Sequence, residues 1–288
     1  MRYLKRFEYA EPSTLDEAVV LLKNSKGEAK VLAGGTDLLV KMKGKTLTPK
    51  CLINLKKIHT PDLRSVTVTA KGDVSIGCLA TLESLQDSVL IRDTAKVLSD
   101  TAQRMASPQV RTIATLGGNL CNAAPSADMA PPLIAIDAEV KLYGPRGERF
   151  VKLEDFFLNP GQTALQEGEI LAEVIIPQIS PGSRTTYQKL TLREAMDIAT
   201  VGVASTLKMK NRRCEVAKIV LGAVAPRPLR ALKAEKLLME NELSENLVYQ
   251  AARTAAAESQ PISDIRGSED YRREMVEVLV RRVIQAVV

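Results

Sequence analysis

An α+β fold in two domains is what the sequence predicts, and three observations predict it. Over the first 57 residues, short strand-like runs alternate with helical stripes as a β-α-β-loop-helix-β unit. From residue 58 the pattern shifts to hairpin alternation around turn residues. Beyond residue 178, three long strand-like runs come first and helices follow from Pro228 onward, the order of an α+β module. A chain of 288 residues holds two or three modest domains. The Pro-, Gly- and Ser-rich stretch 177–182 sets the expected boundary, with domains at 1–177 (parts 1–57 and 58–177) and 178–288.

Each element has its own signal. Residues 7–9 read as a strand, and Thr14 with Glu17 has the spacing of a capping box at a helix start. Leu15, Ala18, Val19 and Leu22 supply that helix's apolar stripe, which ends near Lys26-Gly27. A buried strand over 30–32 feeds a glycine loop, then a helix over 38–43 and a strand over 51–55. Val66 and Val68 alternate against Val74 and Ile76 across the turn Lys71-Gly72-Asp73. Helices are predicted over 82–89 and 92–106, the second stopped by Ser107-Pro108. A hairpin pairs 138–142 with 148–151, and 170–176 is a further strand. Strands over 184–190, 199–209 and 215–225 follow, and the final helix carries Met275, Val278, Leu279 and Val283 on its apolar face.

Composition excludes several functions. An apolar share of 45% with 26% charged residues is that of a folded chain, not of long disorder. No apolar run approaches the ~18 residues of a membrane span; the longest, 129–136 and 219–225, are broken by Pro or Gly. Met1-Arg2-Tyr3-Leu4-Lys5-Arg6 runs into Glu8 with no apolar core, so no secretory signal and a cytoplasmic location are expected. The net charge of +6 does not imply nucleic acid: acidic and basic residues alternate, aromatics are 3%, and Trp is absent. Lys208, Lys210, Arg212 and Arg213 lie between two strand-like runs and read as a solvated hairpin tip. The single histidine, His59, precedes Thr60-Pro61 in a loop, with no nucleophile motif near it. Cys51, Cys78, Cys121 and Cys214 are too scattered for a zinc or iron–sulfur site and suit a reducing compartment. Redox work by this chain would need an organic cofactor.

Two glycine pairs remain. In Ala33-Gly34-Gly35-Thr36-Asp37, backbone N–H groups between strand and helix can converge on an anion with no Cβ in the way. The following helix adds its positive end. A carboxylate is repelled by phosphate, so Asp37 is expected to turn inward and cap backbone N–H groups. The spacing is neither a Rossmann fingerprint nor a P-loop, and a plain tight turn is the alternative. In the second loop, Ser107-Pro108-Gln109-Val110-Arg111 leads into Thr115-Leu116-Gly117-Gly118-Asn119 and on to Asp128. Thr115 and Asn119 can hydrogen-bond a phosphate or ribityl chain, and Asp128 suits a sugar hydroxyl. A structural turn is again the alternative. Together the two loops favour a ligand with a long phosphate-bearing spine, such as a dinucleotide.

In their order and spacing these residues resemble the FAD-binding subunit of the molybdenum hydroxylases, the xanthine dehydrogenase and aerobic carbon monoxide dehydrogenase family. The likeness continues through Ala124-Pro125-Ser126-Ala127-Asp128, Glu169-Ile170-Leu171, Tyr187-Gln188-Lys189, Arg193 and Asp197-Ile198-Ala199, covering nearly the whole chain. It implies an α+β chain: a two-part FAD-binding domain of the vanillyl-alcohol-oxidase (PCMH) type plus a C-terminal α+β domain. By the same likeness, Leu32, Ala33, Gly34, Gly35, Thr36 and Asp37, with Thr115, Leu116, Gly117, Gly118 and Asn119, would wrap the pyrophosphate and ribityl region. Asp128 would contact the adenosine side, and Leu171, Lys189 and Ile198 would lie by the flavin ring, where a positive Lys189 would favour the anionic reduced flavin. Inserted cysteine clusters, as in hydroxybenzoyl-CoA reductase relatives, are not in this sequence. The resemblance implies non-covalent FAD, no acid–base catalytic residue, a [2Fe–2S] small subunit and a molybdopterin large subunit as partners, and NAD(H) or another electron acceptor. The segment 190–200 is the expected docking surface. A stand-alone flavin oxidoreductase and a non-catalytic nucleotide-binding module are the rival readings.

Overall fold

In the computed structural model of the chain, which describes residues 3–193 and 195–287, the first element is a short strand, β1 (Glu8–Ala10). Met1-Arg2, Glu194 within the 190–200 segment, and Val288 lie outside the described residues. Helix α1 (Leu15–Asn24), strand β2 (Ala29–Leu32), helix α2 (Leu38–Lys43) and strand β3 (Cys51–Asn54) complete a parallel sheet of order β1-β3-β2. Thr14 caps α1, its Oγ1 accepting from the Glu17 N–H at 3.1 Å. The return arm of the capping box falls one residue early: Glu17 accepts from the N–H of Ser13, 2.8 Å. Alternation along β3 splits the sheet's contacts. Leu52 packs with Leu32 and Met42 in a small outer core, while Ile53 joins Ala18, Val19 and Ala29 in the main one.

The second part opens with the hairpin β4 (Val66–Val68) and β5 (Val74–Gly77), followed by α3 (Leu82–Asp87), α4 (Val89–Thr94) and α5 (Lys96–Gln103). Two helices were expected here and three are present. Ser88 is extended and caps α4 through the Ile91 N–H, 3.2 Å, and Ala95 leaves helical geometry at φ −145°. Ser107-Pro108 begins a helix instead of ending one: Ser107 Oγ accepts from the Val110 N–H, and Pro108 opens α6 (Pro108–Arg111). Helices α7 (Leu116–Cys121) and α8 (Ala130–Ala135) lead to the hairpin β6 (Glu139–Gly144) and β7 (Gly147–Lys152). Then come α9 (Leu153–Phe156), the small pair β8 (Phe157–Asn159) and β9 (Gln162–Thr163), and β10 (Ile170–Ile176). β10 runs antiparallel between β5 and β6, giving a five-stranded sheet of order β4-β5-β10-β6-β7.

A four-stranded antiparallel sheet follows: β11 (Ser183–Leu190), β12 (Val201–Lys210), β13 (Arg213–Gly222) and β14 (Leu229–Arg230). Asn211 and Arg212 both take positive φ in the tight β12–β13 turn, with the basic cluster around them. Helices α10 (Leu232–Leu238), α11 (Glu245–Glu258) and α12 (Glu269–Gln285) cover one face, burying Val201, Val203, Leu207, Ile219 and Leu221. The buried stripe of α12 is Arg272, Val276, Leu279, Val280, Val283 and Ile284, so the expected face at Met275, Val278, Leu279 and Val283 was rotated. The sheet's other face, with Ala204 and Val220, meets the main core through α8, whose six residues are all buried. Thr206 seals that contact by donating its hydroxyl hydrogen to the Ala135 carbonyl, 2.8 Å. Among the described residues no helix is long and apolar enough to cross a membrane.

Candidate functional site

The first glycine loop leaves the carboxyl end of β2, where open parallel sheets commonly place ligands. Gly35 sits at φ +78°, a left-handed turn that a side chain would strain. Among the described residues, nothing accepts from the backbone N–H groups of Gly34, Gly35, Thr36, Asp37 or Leu38, and internal bonding resumes only with the Leu39 N–H to the Gly35 carbonyl. Such a run of unpaired donors at a loop is the makings of an anion nest. Asp37 corrects the expectation: it is exposed and its carboxylate caps nothing, because the residue has near-helical angles (φ −96°, ψ −46°) in place of an extended N-cap. Leu32 is buried with Met42 and Leu52. The Ala33 carbonyl accepts from Lys56 Nζ at 2.9 Å, and partial burial pulls that ammonium below the ordinary lysine range.

The second glycine pair is no loop. It is the first turn of α7, and its donors are already engaged. Leu116 N–H donates to the Ala80 carbonyl and Gly117 N–H to the Cys78 carbonyl, both 2.9 Å, and Gly118 N–H to Thr115 Oγ1 at 3.1 Å. Thr115 is thus an N-cap and Leu116 a core residue. Gly117 serves packing, since a Cβ there would lie 2.7 Å from both the Cβ and the carbonyl oxygen of Cys78. Gly118 faces open space apart from its cap. Asn119 Oδ1 is buried with no partner among the described residues, the one polar atom of this stretch left wanting a donor. The two glycine stretches meet: a Cβ on Gly34 would overlap the Ile113 carbonyl oxygen, and Lys41 Nζ donates to Asn122 Oδ1 at 2.5 Å.

A second cluster lies where the four-stranded sheet meets the main core. Alternation puts Tyr187 and Lys189 on one face of β11, and both reach Asp128. The Tyr187 hydroxyl donates at 2.8 Å and Lys189 Nζ at 2.9 Å. Gly202 on β12 makes room for the phenol, whose oxygen would be 2.6 Å from a Cβ there. Burial first, then the Asp128 carboxylate, pushes Tyr187 well above the usual tyrosine range. Asp128 and Lys189, expected at opposite ends of an extended dinucleotide, are paired at 2.9 Å with side chains 10% and 11% exposed. The two opposite charges of the pair offset one another.

Lys189 Nζ makes a further bond, 3.3 Å, to the Asp197 carbonyl in the loop between β11 and β12. Asp197 organises that loop: its carboxylate accepts from the N–H groups of Leu192, Arg193 and Ile198, each at 2.9 Å. Desolvation pushes its carboxyl upward, but those donors and Arg193 outweigh it and hold the group below the ordinary range. Ile198 is half exposed beside exposed Leu192 and Met196, whereas Leu171 is buried at the start of β10. Sequence reading named Tyr187 and Asp197 without giving either a role. For Tyr187 the signal was available, as it shares a strand face with Lys189.

Residues 5–179 match the family described as the FAD binding domain in molybdopterin dehydrogenase, and residues 185–287 the CO dehydrogenase flavoprotein C-terminal domain. The chain is similar to the carbon monoxide dehydrogenase medium chain of Afipia carboxidovorans, 35% identical over 280 residues, 97% of this chain and 96% of the other. It is also similar to the xanthine dehydrogenase FAD-binding subunit of Escherichia coli O157:H7, at 30% identity over 97% of this chain and 95% of that one. A solved carbon monoxide dehydrogenase from Hydrogenophaga pseudoflava, lacking the Mo-pyranopterin moiety of its molybdenum cofactor, matches with a TM-score of 0.95 and 34% identity, covering 99% of this chain and 98% of that one. Matched along both its domains, the chain belongs to the FAD-binding medium subunits of the molybdenum hydroxylases, the flavoprotein components of the xanthine dehydrogenase and carbon monoxide dehydrogenase type.

Proposed function

We propose that this subunit relays electrons: from [2Fe–2S] clusters of a small partner subunit, filled at a molybdopterin centre in a large one, to NAD⁺ or another acceptor. The observation that carries the reading is the run of five unpaired N–H groups at Gly34–Leu38, abutting the start of α7. The residues present fit a dinucleotide. The first loop offers donors to a pyrophosphate, Asn119 Oδ1 lacks a donor of its own, and Gly118 leaves its backbone open to close approach. FAD, when bound, supplies one- and two-electron redox chemistry. Loop 33–37 would hold the phosphates and Asn119 would accept from a hydroxyl of the spine. Asp128, Tyr187 and Lys189 would form a near-neutral polar corner at one end, and Ile198 would shield the ring from water. Leu32, Thr115, Leu116, Gly117 and Leu171 would support this wall from the core, their side chains or N–H groups being engaged there.

No His or Cys stands in the loop that would hold the ring, so the flavin is bound without a covalent link. We place the domain boundary at 177/178, supported by one core around the first two sheets and another under α10–α12. Titrating flavin-stripped chain with FAD tests the reading: tight binding with a visible flavin spectrum supports it, and failure to reconstitute overturns it. Flavin remaining with acid-precipitated protein would overturn the non-covalent assignment.

A further inference from the structure

A buried cation far from the glycine loops in sequence bears on the other end of the site. Arg272, on the first turn of α12, is 3% exposed. Its Nη1 donates to two carbonyls at once, Thr200 at 2.9 Å and Ala223 at 3.1 Å, and its Nη2 donates to Asp264 at 2.6 Å. Thr200 closes the loop that carries Ile198, its N–H donating to the Leu190 carbonyl at 2.8 Å. Ala223, at φ +64°, follows β13 and donates its own N–H to Pro125, just ahead of Asp128. One guanidinium therefore joins the base of the 191–199 loop to the strand exit that anchors the Asp128 segment.

Holding α12 against the sheet would not need this group. A buried charge stabilises less than a well-packed apolar side chain of similar volume, and it is costly if any partner is lost. What the planar guanidinium adds is a fixed direction between the nitrogen that holds both carbonyls and the one that holds Asp264, which neither a lysine nor an apolar residue reproduces. We propose that Arg272 is a positioning residue for the flavin: it sets the height of the 191–199 loop, and with it Ile198 and Lys189, against the bound ring. This rests on the reading above that Ile198 flanks the ring.

The test uses the FAD-loaded chain and its visible absorption band, with FAD affinity measured in parallel. Ile198→Ala reports on the underlying reading and is expected to displace the band. Arg272→Met is expected to displace it too and to weaken FAD binding about tenfold, the loss of roughly one charge-assisted hydrogen bond. Arg272→Lys should recover part of the affinity without restoring the band. Asp264→Asn, which removes the charge but keeps an acceptor oxygen for Nη2, should displace the band by less, and it decides the matter if the Arg272 variants do not fold. A displaced band in Ile198→Ala with unchanged bands in Arg272→Met and Asp264→Asn overturns the proposal alone. An unchanged band in Ile198→Ala overturns the reading beneath it, and the proposal with it.

Discussion

A methyl group added at Gly118 and one added at Gly117 meet different surroundings, and the contrast separates ligand approach from packing. At Gly118 the new Cβ meets only Thr115 Oγ1, at 2.9 Å. Helix propensity favours alanine over glycine by about 1 kcal/mol, while disturbing the Thr115 cap costs about 0.5–2 kcal/mol. The apo chain's stability should therefore change by no more than about 1 kcal/mol. Valine at the same site places branched methyls in the space a ligand would use. If those methyls push the ligand off one hydrogen bond made by its charged group nearby, the cost is about 1.5–3 kcal/mol, or roughly ten- to a hundredfold in FAD affinity. At Gly117 the Cβ is driven into Cys78, backbone oxygen included. Overpacking of that kind costs about 1–3 kcal/mol in the apo chain. Urea unfolding of the apo forms, paired with FAD titration of each, measures both quantities. Full FAD affinity in Gly118→Val would show that the ligand does not approach α7. An unchanged unfolding midpoint in Gly117→Ala would show that the tight contact with Cys78 is not a constraint.

Breaking the Asp128–Lys189 pair by Lys189→Met should cost about 3–5 kcal/mol, because it strands a buried carboxylate; a double variant with Asp128→Leu should recover much of that loss in urea unfolding, and additive losses would refute the pairing. Gly35→Val forces a branched residue to φ +78° and should abolish FAD binding; full flavin occupancy would make the loop a mere turn. Burial pushes Cys121 up to about 12 and Cys214 up to about 11. Unfolded thiols lose their protons near pH 9 while the native ones keep theirs, so stability is whole below that pH and falls as pH rises from about 9 toward 12. A urea midpoint equal at about pH 8 and about pH 10.5 would refute this. Native material should elute as a complex containing iron and molybdenum, and a metal-free monomer turning over an organic substrate at full rate would favour the stand-alone oxidoreductase.

Local signals were readable in the sequence where local forces decide the structure. The helix Leu38–Lys43 and the strand Ile170–Ile176 have the bounds their patterns indicate, and both central hairpins follow from turn residues flanked by alternation. The break at Ala95 was not readable, because alanine favours helix and nothing local marks the turn that lets α5 fold back onto α3. Nor does a glycine pair announce whether its missing side chains serve a ligand or a neighbour; Gly117 and Gly118 divide those duties. The site itself depends on contacts between distant residues, Gly34 with Ile113 and Asp128 with Lys189, that no window along the chain contains. Resemblance named Asp128 and Lys189 separately, and only the fold shows that they are bonded to one another.

Helix α8 has consequences for how a cofactor gets in and out. With the four-stranded sheet on one flank and α5 and α9 on the other, it is a party wall between two rooms: that sheet cannot withdraw without uncovering it. Exposing Leu133 and Ile134 alone would cost about 3–6 kcal/mol, before the Thr206–Ala135 bond is counted. A clamshell motion, in which two halves part to admit a ligand, is thereby made expensive. The 33–37 turn lies outside that wall, so a ligand meeting it need not part the two flanks. Assembly acquires an order as well, because the wall is finished only when both flanks have folded against it.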